Sequence, residues 1–471
     1  MSSLGKRLIE PGTAWQATAA EEDRLGPQRF EMLVGLYGDG PTADILSEKT
    51  MIRSWLRVEA ALATAQAEIG VLGREHAEAI CAASTLASID TGRLWRETRN
   101  VGYPILPLVR QLDAALPEGH RGRVHYGATT QDIMDSGLAL QLGAAAARLA
   151  ELLARFGDAM AALAGSHVRT VIAGRTHAQQ AVPTTFGAKV AGYVAELARH
   201  RDRLAAARDR VTVVSLFGAG GTSAAYGEKA AAIRARVAEL LGLAGTDVPW
   251  HVARDGLAEL GLVCALMTAT CTRFAREVVD LSRTEIAEVA EASGHLRGAS
   301  STMPQKANPI EAEAVIGMGI TAGALGSALF RVMEAGHERA AGEWQAEWQV
   351  VPQLISLAAG ALGTAASMAG GLQVFPDAMR RNLGADGGLV MAEAYMMRLA
   401  PFLGREQAHD LVYAAVRRCR GSGERLADVL GELIPADAAA GIGGELAPES
   451  YVGQPEDAVN AALTMWRGGR K

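Results

Sequence analysis

At 471 residues the chain is too long for one simple core, and 46 basic against 52 acidic residues leave a net charge of −6, which argues against general nucleic-acid binding. Hydrophobic residues reach 49% with only 5% aromatics. Apolar mass carried by Ala, Leu and Val favours long, closely packed helices. Cys81, Cys264, Cys271 and Cys419 form no C-x-x-C pair and no metal-ligand spacing, so neither a disulfide framework nor a metal centre is expected.

Residues 1–30 are polar and weakly patterned and read as an arm. They contain no apolar signal region, and the most apolar run, Leu260–Met267, is too short to span a bilayer. A soluble, cytoplasmic protein with no membrane partner is expected. Glu48–Ile69 predicts a helix capped by Ser47, followed by helices over Arg74–Ala83 and Asp90–Thr98. Val101–Pro107 breaks the pattern before a short helix, Leu106–Leu112. After a polar break at 123–132, Ile133–His167 gives a helical pattern longer than most globular helices. A further break at 173–180, ending at Pro183, precedes helix Thr184–Val211 and a glycine-rich turn at 217–222. Helices then follow over Lys229–Leu241, Asp255–Val289, Ile310–Ala335 and Glu343–Met368. Shorter ones cover Asp377–Leu383, Gly388–Leu399, Arg405–Arg418 and Gly423–Leu433. No segment sustains period-two alternation, so the expected class is all-α. Apolar faces on helices this long need more partners than one chain offers, which points to an oligomer.

Three polar breaks carry the chemistry. In the first, Thr129, Thr130 and Gln131 bring uncharged donors to a helix start, which suits a carboxylate as well as helix capping. The second holds Arg175-Thr176-His177; an imidazole titrates close to neutrality and suits proton transfer. The third, Gly298–Pro309, offers Ser300, Ser301, Lys306 and Asn308 in a stretch that cannot be regular helix, with Glu311 and Glu313 following. Those groups suit a small polyanion. Arg297 and Arg339 are further candidates for a carboxylate.

The spacing S-S-x-M-P-x-K-x-N-P resembles the signature of the fumarase/aspartase superfamily of lyases. The likeness runs from about Leu46 to Leu433, and is greatest to the adenylosuccinate lyase and 3-carboxymuconate cycloisomerase branch, with nitrosuccinate lyases also similar. Segments such as Gly102-Tyr-Pro-Ile-Leu-Pro-Leu-Val109, Phe217–Thr222 and His337–Trp348 carry it. The resemblance implies three helical domains (1–120, 121–368 and 369–471), with the central bundle shared in a homotetramer. Three loops from three subunits would meet at each site, with no cofactor and no metal. By position Ser300 would be the base, Lys306 and Asn308 would hold an aci-carboxylate, and His177 would assist at the leaving group or the distal carboxylate. Thr129, Thr130, Gln131, Thr176, Ser301, Tyr103 and Arg339 would bind substrate, and Glu313 would orient its neighbours.

The sequence departs from its relatives in three places. Thr130 replaces the usual serine. His177 is present where cycloisomerases tend to lack it. The histidine–aspartate pair of adenylosuccinate lyases is missing at Asn100–Tyr103. The preferred reading is β-elimination from a succinyl-type dicarboxylate, with C–N cleavage and release of fumarate. The alternative is lactonisation by a 3-carboxymuconate cycloisomerase. A non-catalytic helical assembly protein is the third class, disfavoured because Ser300, Lys306 and Asn308 are intact.

Overall fold

A computed structural model describes residues 36–436, 438–439 and 444–468; the arm expected at 1–30 lies outside the described residues. The chain enters through α1 (Gly40–Ile45), whose N-cap Asp39 accepts from Thr42 N and is gripped by Arg148 at 2.7 and 3.0 Å. Next come α2 (Glu48–Glu68), α3 (Arg74–Ala83), α4 (Thr91–Val101) and α5 (Ile105–Ala114). Ser47 caps α2 as expected, its hydroxyl accepting from Thr50 N. Trp55, Leu56, Leu94 and Leu108 build a separate core here. The short helix α8 (Ala230–Leu241) adds Ile233, Val237 and Leu241 to that core, although it lies in the stretch read as central bundle.

The bundle itself is α6 (Thr130–Ser166), α7 (Phe186–Val211), α9 (Asp255–Leu281), α10 (Ile310–Val332) and α11 (Glu343–Gly371). Leu149, Phe156, Leu197, Met267, Phe274 and Leu354 fill its core. Small residues let the helices approach: a Cβ added at Gly319 of α10 would overlap the Thr272 side chain of α9. An α-helix rises about 1.5 Å per residue, so the 37 residues of α6 span about 55 Å.

Two departures from the sequence expectation occur at the far end of the bundle. The break at 173–180 is the turn of an antiparallel hairpin, β1 (Val171–Thr176) with β2 (Gln179–Thr185). Its strands bury both faces at the base and expose both at the tip, so no period-two signal marks them. Helix α9 stops at Leu281, eight residues before Val289, and the chain instead forms β3 (Val289–Ala290), paired with β4 (Gln373–Val374).

The C-terminal part holds α12 (Pro376–Leu383), α13 (Ala392–Leu403), α14 (Arg405–Ser422) and α15 (Leu426–Leu433), with a core that includes Leu399, Val412 and Leu426. The last helix, α16 (Pro455–Gly468), leaves this group and lies against α7 and α6. The Trp466 ring covers Gly157, where any Cβ would overlap it, and Trp466 Nε1 donates to Asp158.

Four bundle helices, α6, α9, α10 and α11, are long and apolar enough to cross a membrane by length and composition, unlike the short run singled out in the sequence. In α9 and α11, 61% of the most apolar window is buried against neighbouring helices, so packing accounts for the hydropathy. In α10 the figure is 33%, and Ile320, Phe330 and Met333 face outward.

Candidate active site

At the near end of the bundle the first polar break becomes the N-terminus of α6. Thr129 is its N-cap in a capping box with Asp132. Asp132 is fully buried. Besides Thr129 N, it accepts from Phe217 N at 2.9 Å, Gly218 N at 2.8 Å and His251 Nε2 at 2.9 Å. One carboxylate thereby ties the first polar break to the glycine-rich turn. Gln131 is buried with both amide atoms engaged: Nε2 donates to His251 O at 2.8 Å, and Oε1 accepts from Arg339 Nε at 3.0 Å. Its side chain orients Arg339 instead of standing free for a ligand. Arg339 Nη2 donates to Thr129 Oγ1 at 3.2 Å, which leaves Nη1 and the half-buried Thr130 hydroxyl unpaired among the described residues. Tyr103 joins this group through Trp344, whose ring lies 5.7 Å from that of Tyr103 and 5.8 Å from the Arg339 guanidinium carbon.

Two charged groups brace this end. Arg254 at the start of α9 forks onto Asp135 of α6 at 2.9 and 3.1 Å, and onto Glu347 of α11, with all three side chains buried. Burial pushes the Glu347 carboxyl up to about 7, with the Asp135 charge adding to the rise and Arg254 opposing it. His125, in the left-handed region at φ +63°, hydrogen-bonds through Nδ1 with the buried Glu59 carboxylate at 2.6 Å. Burial pulls its pKa down, but the Glu59 charge and hydrogen bond outweigh that and leave it raised.

At the far end, Thr176, His177 and Ala178 form the exposed hairpin tip. His177 (φ +50°) and Ala178 (φ +62°) both take left-handed conformations, as a two-residue primed turn requires, although neither is glycine. The hairpin is held from below. Arg175 forks onto the fully buried Glu288 at 2.7 and 2.9 Å, and Gln180 Nε2 donates to Asn382 O at 2.9 Å.

The signature loop stands at the same end. Gly298 has φ +67°, and an added Cβ there would lie 2.4 Å from Asn308 O. Only glycine permits that approach. Asn308 closes the loop, donating to Gly298 O from its backbone N at 2.8 Å and from Nδ2 at 2.9 Å. Inside it, Ser300 Oγ accepts from Thr302 N at 3.3 Å and Met303 N at 3.1 Å. Two amide donors on one hydroxyl oxygen stabilise negative charge there. Ser301, Lys306 and Glu313 are exposed and have no polar partner among the described residues. Behind the loop, Glu291 accepts from Glu311 N and Ala312 N at the head of α10, and Arg297 pairs with Glu311 at 2.8 Å.

One chain therefore brings together Tyr103, Thr129, Thr130, Gln131 and Arg339 at one end. It carries His177 and the Ser300 loop at the other, separated by the length of α6. Sequence reasoning missed Glu59, Asp132, Asp135, His251, Arg254, Glu347 and the two tryptophans Trp344 and Trp348. Most of their partners lie far off in sequence, from 66 residues for Glu59 with His125 to 119 for Arg254 with Asp135, and no local pattern marks such pairs. The left-handed His177-Ala178 pair likewise has no signal in composition.

Comparison with known proteins places the chain in a family. The lyase family's sequence model matches residues 39–322, which include all three loops. A 3-carboxy-cis,cis-muconate cycloisomerase from Pseudomonas aeruginosa is 42% identical, over 90% of this chain and 94% of that protein. A nitrosuccinate lyase from Streptomyces davaonensis is 35% identical, over 90% and 92%. The crystal structure of the 3-carboxy-cis,cis-muconate lactonizing enzyme from Pseudomonas putida superposes with a TM-score of 0.88 at 37% identity, covering 93% of this chain and 99% of that one. With a family model matched over residues 39–322 and relatives matched along nearly the whole chain, the chain belongs to the lyase family of the fumarase/aspartase superfamily and is an enzyme of that class.

Proposed function

We propose that the protein is a cycloisomerase of 3-carboxy-cis,cis-muconate or a tricarboxylate close to it. The carrying observation is the 42% identity to a cycloisomerase along nearly the whole chain. It reverses the order of the two readings drawn from sequence, which put elimination from a succinate first. In the lactonising direction one substrate carboxylate oxygen forms a C–O bond to the carbon β to a second carboxylate. The π electrons move onto the α carbon and its carboxylate as an aci-carboxylate. The Ser300 hydroxyl then protonates the α carbon, and its alkoxide is held by the amides of Thr302 and Met303. In reverse the alkoxide removes the same proton. Lys306 is free to face the developing charge, and Asn308 holds the loop in shape. Thr130 and Arg339, oriented by Gln131, receive a carboxylate at the other end of the substrate. A second reading, release of fumarate from a substituted succinate, is favoured by His177 and by the likeness to a nitrosuccinate lyase.

The site of this cytoplasmic protein, on our reading, is completed in a homotetramer. Two observations support the assembly. About 55 Å of α6 separates Thr129 from the hairpin end within one chain. The outward face of α10 exposes Ile320, Phe330 and Met333, apolar area that packing against a second copy would remove from water.

The test follows the loss of the conjugated substrate's ultraviolet absorbance on lactone formation. Turnover of 3-carboxymuconate that disappears in Ser300→Ala supports the reading, and absence of turnover by the wild type overturns it. Mixing Ser300→Ala with Arg339→Ala subunits after dissociation recovers about a quarter of wild-type activity if each site takes these residues from different subunits. No recovery sinks the shared site.

A further inference from the structure

We infer that Tyr103, Trp344 and Trp348 form an aromatic wall that selects substrates whose carboxylates are joined by planar, conjugated carbon over saturated ones of the same length. The inference rests on the carboxylate site proposed above and adds what decides the shape of the chain beyond it.

Trp344 is buried, yet it belongs to none of the hydrophobic cores of the protein. Two rings and a cation lie against it. Tyr103 stacks on it with an interplanar angle of 21°. Trp348 meets it edge-on at 5.1 Å and meets Tyr103 edge-on at 6.2 Å. The Arg339 guanidinium sits 5.8 Å from its centroid. Trp344 and Trp348 are one turn apart on α11, and Tyr103 comes from the loop before α5, so two elements contribute. Tyr103 and Trp348 are only half-buried. A cluster serving packing alone would join a core and close over its rings.

The wall is oriented by polar contacts. Gln345 Nε2 donates to the Tyr103 hydroxyl oxygen at 3.3 Å, which holds the ring angle. Arg339 is pinned through Nε and Nη2 to Gln131 and Thr129, and its Nη1, unpaired among the described residues, can take a carboxylate. A carboxylate held there puts its α and β carbons beside the rings. A flat alkene presents a π face to them, whereas a puckered CH2–CH2 chain does not. Ring-on-π contacts of this kind are worth about 3- to 10-fold in affinity per ring.

The test uses binding, so it does not depend on turnover. The probes are cis,cis-muconate and adipate, dicarboxylates of equal length that differ in unsaturation, titrated by calorimetry and by tryptophan fluorescence. The wild type is expected to bind muconate at least about 10-fold tighter than adipate and to show fluorescence quenching by muconate alone. Tyr103→Leu and Trp348→Leu should each bring the ratio towards one, through a loss of muconate affinity larger than any loss for adipate. Tyr103→Phe should keep it. An unchanged ratio in both leucine variants, or equal loss for both ligands, overturns the wall while leaving the carboxylate site standing. Failure of the folded wild type to bind either ligand overturns the site and the wall together.

Discussion

Arg339 Nε donates to Gln131 Oε1 at 3.0 Å, across 208 residues of sequence, and Gln131 passes its other amide atom to His251. The guanidinium is thereby aimed by a buried amide rather than by a carboxylate, so it keeps its full charge for a ligand. Gln131→Met should raise KM for a carboxylate substrate roughly 10- to 100-fold with a smaller change in kcat, since hydrogen bonds to charged groups are worth about 1.5–3 kcal/mol. Steady-state kinetics decide this, and a change confined to kcat would contradict the aiming role.

The loop carrying Ser300 depends on one close backbone approach. Gly298→Ala places a methyl group 2.4 Å from Asn308 O at a positive φ. The loop should open and kcat fall by roughly 100-fold, because small misplacements at a reacting centre cost about that much. The melting temperature should move by no more than about 3 °C, as the loop contributes to no core. Wild-type kcat in this variant would show that the loop's shape is unimportant.

At the hairpin tip Ala178 bears a Cβ in the left-handed region at φ +62°. That conformation costs roughly 1–2 kcal/mol for a non-glycine residue, offset in part by the larger entropy of an unfolded glycine. Ala178→Gly is expected to stabilise the protein by up to about 1 kcal/mol. Urea denaturation gives the sign, and a lower midpoint would refute the strain.

The Arg254 fork predicts a pH response. Glu347 is raised from 4.5 to about 7 by burial. Between those values the native state holds a proton that the unfolded state has lost. Its contribution is therefore present below pH 4.5 and is lost as pH rises through 7. Glu347→Gln should flatten that decline by an amount on the order of 1–3 kcal/mol. Denaturation midpoints from pH 5 to 8 test it, and parallel curves for the two proteins would rule it out.

The long helices were legible in the sequence because their apolar faces repeat over 21 to 37 residues, and Ser47 marks a start that the structure uses, whereas α6 begins at Thr130, ahead of the expected Ile133. The signature loop was legible through its own spacing. What escaped depends on distant partners. The hairpin at 171–185 is brief and lacks alternation, and it is held by Glu288 and Asn382. The end of α9 at Leu281 also escaped, because the apolar residues beyond it serve a strand pair instead. Gln131, read from sequence as a donor to substrate, turned out to be committed to His251 and Arg339. Only the fold brings those two residues to it.

Trp466 closes over Gly157 and reaches Asp158 across 308 residues. On the ribosome α6 is therefore made long before the residue that covers it. Most of the C-terminal half must emerge while an apolar slot on α6 stays open. The bundle is thus covered only once Trp466 has emerged, and a chain cut before that residue would carry every candidate site residue yet offer the slot to chaperones and proteases.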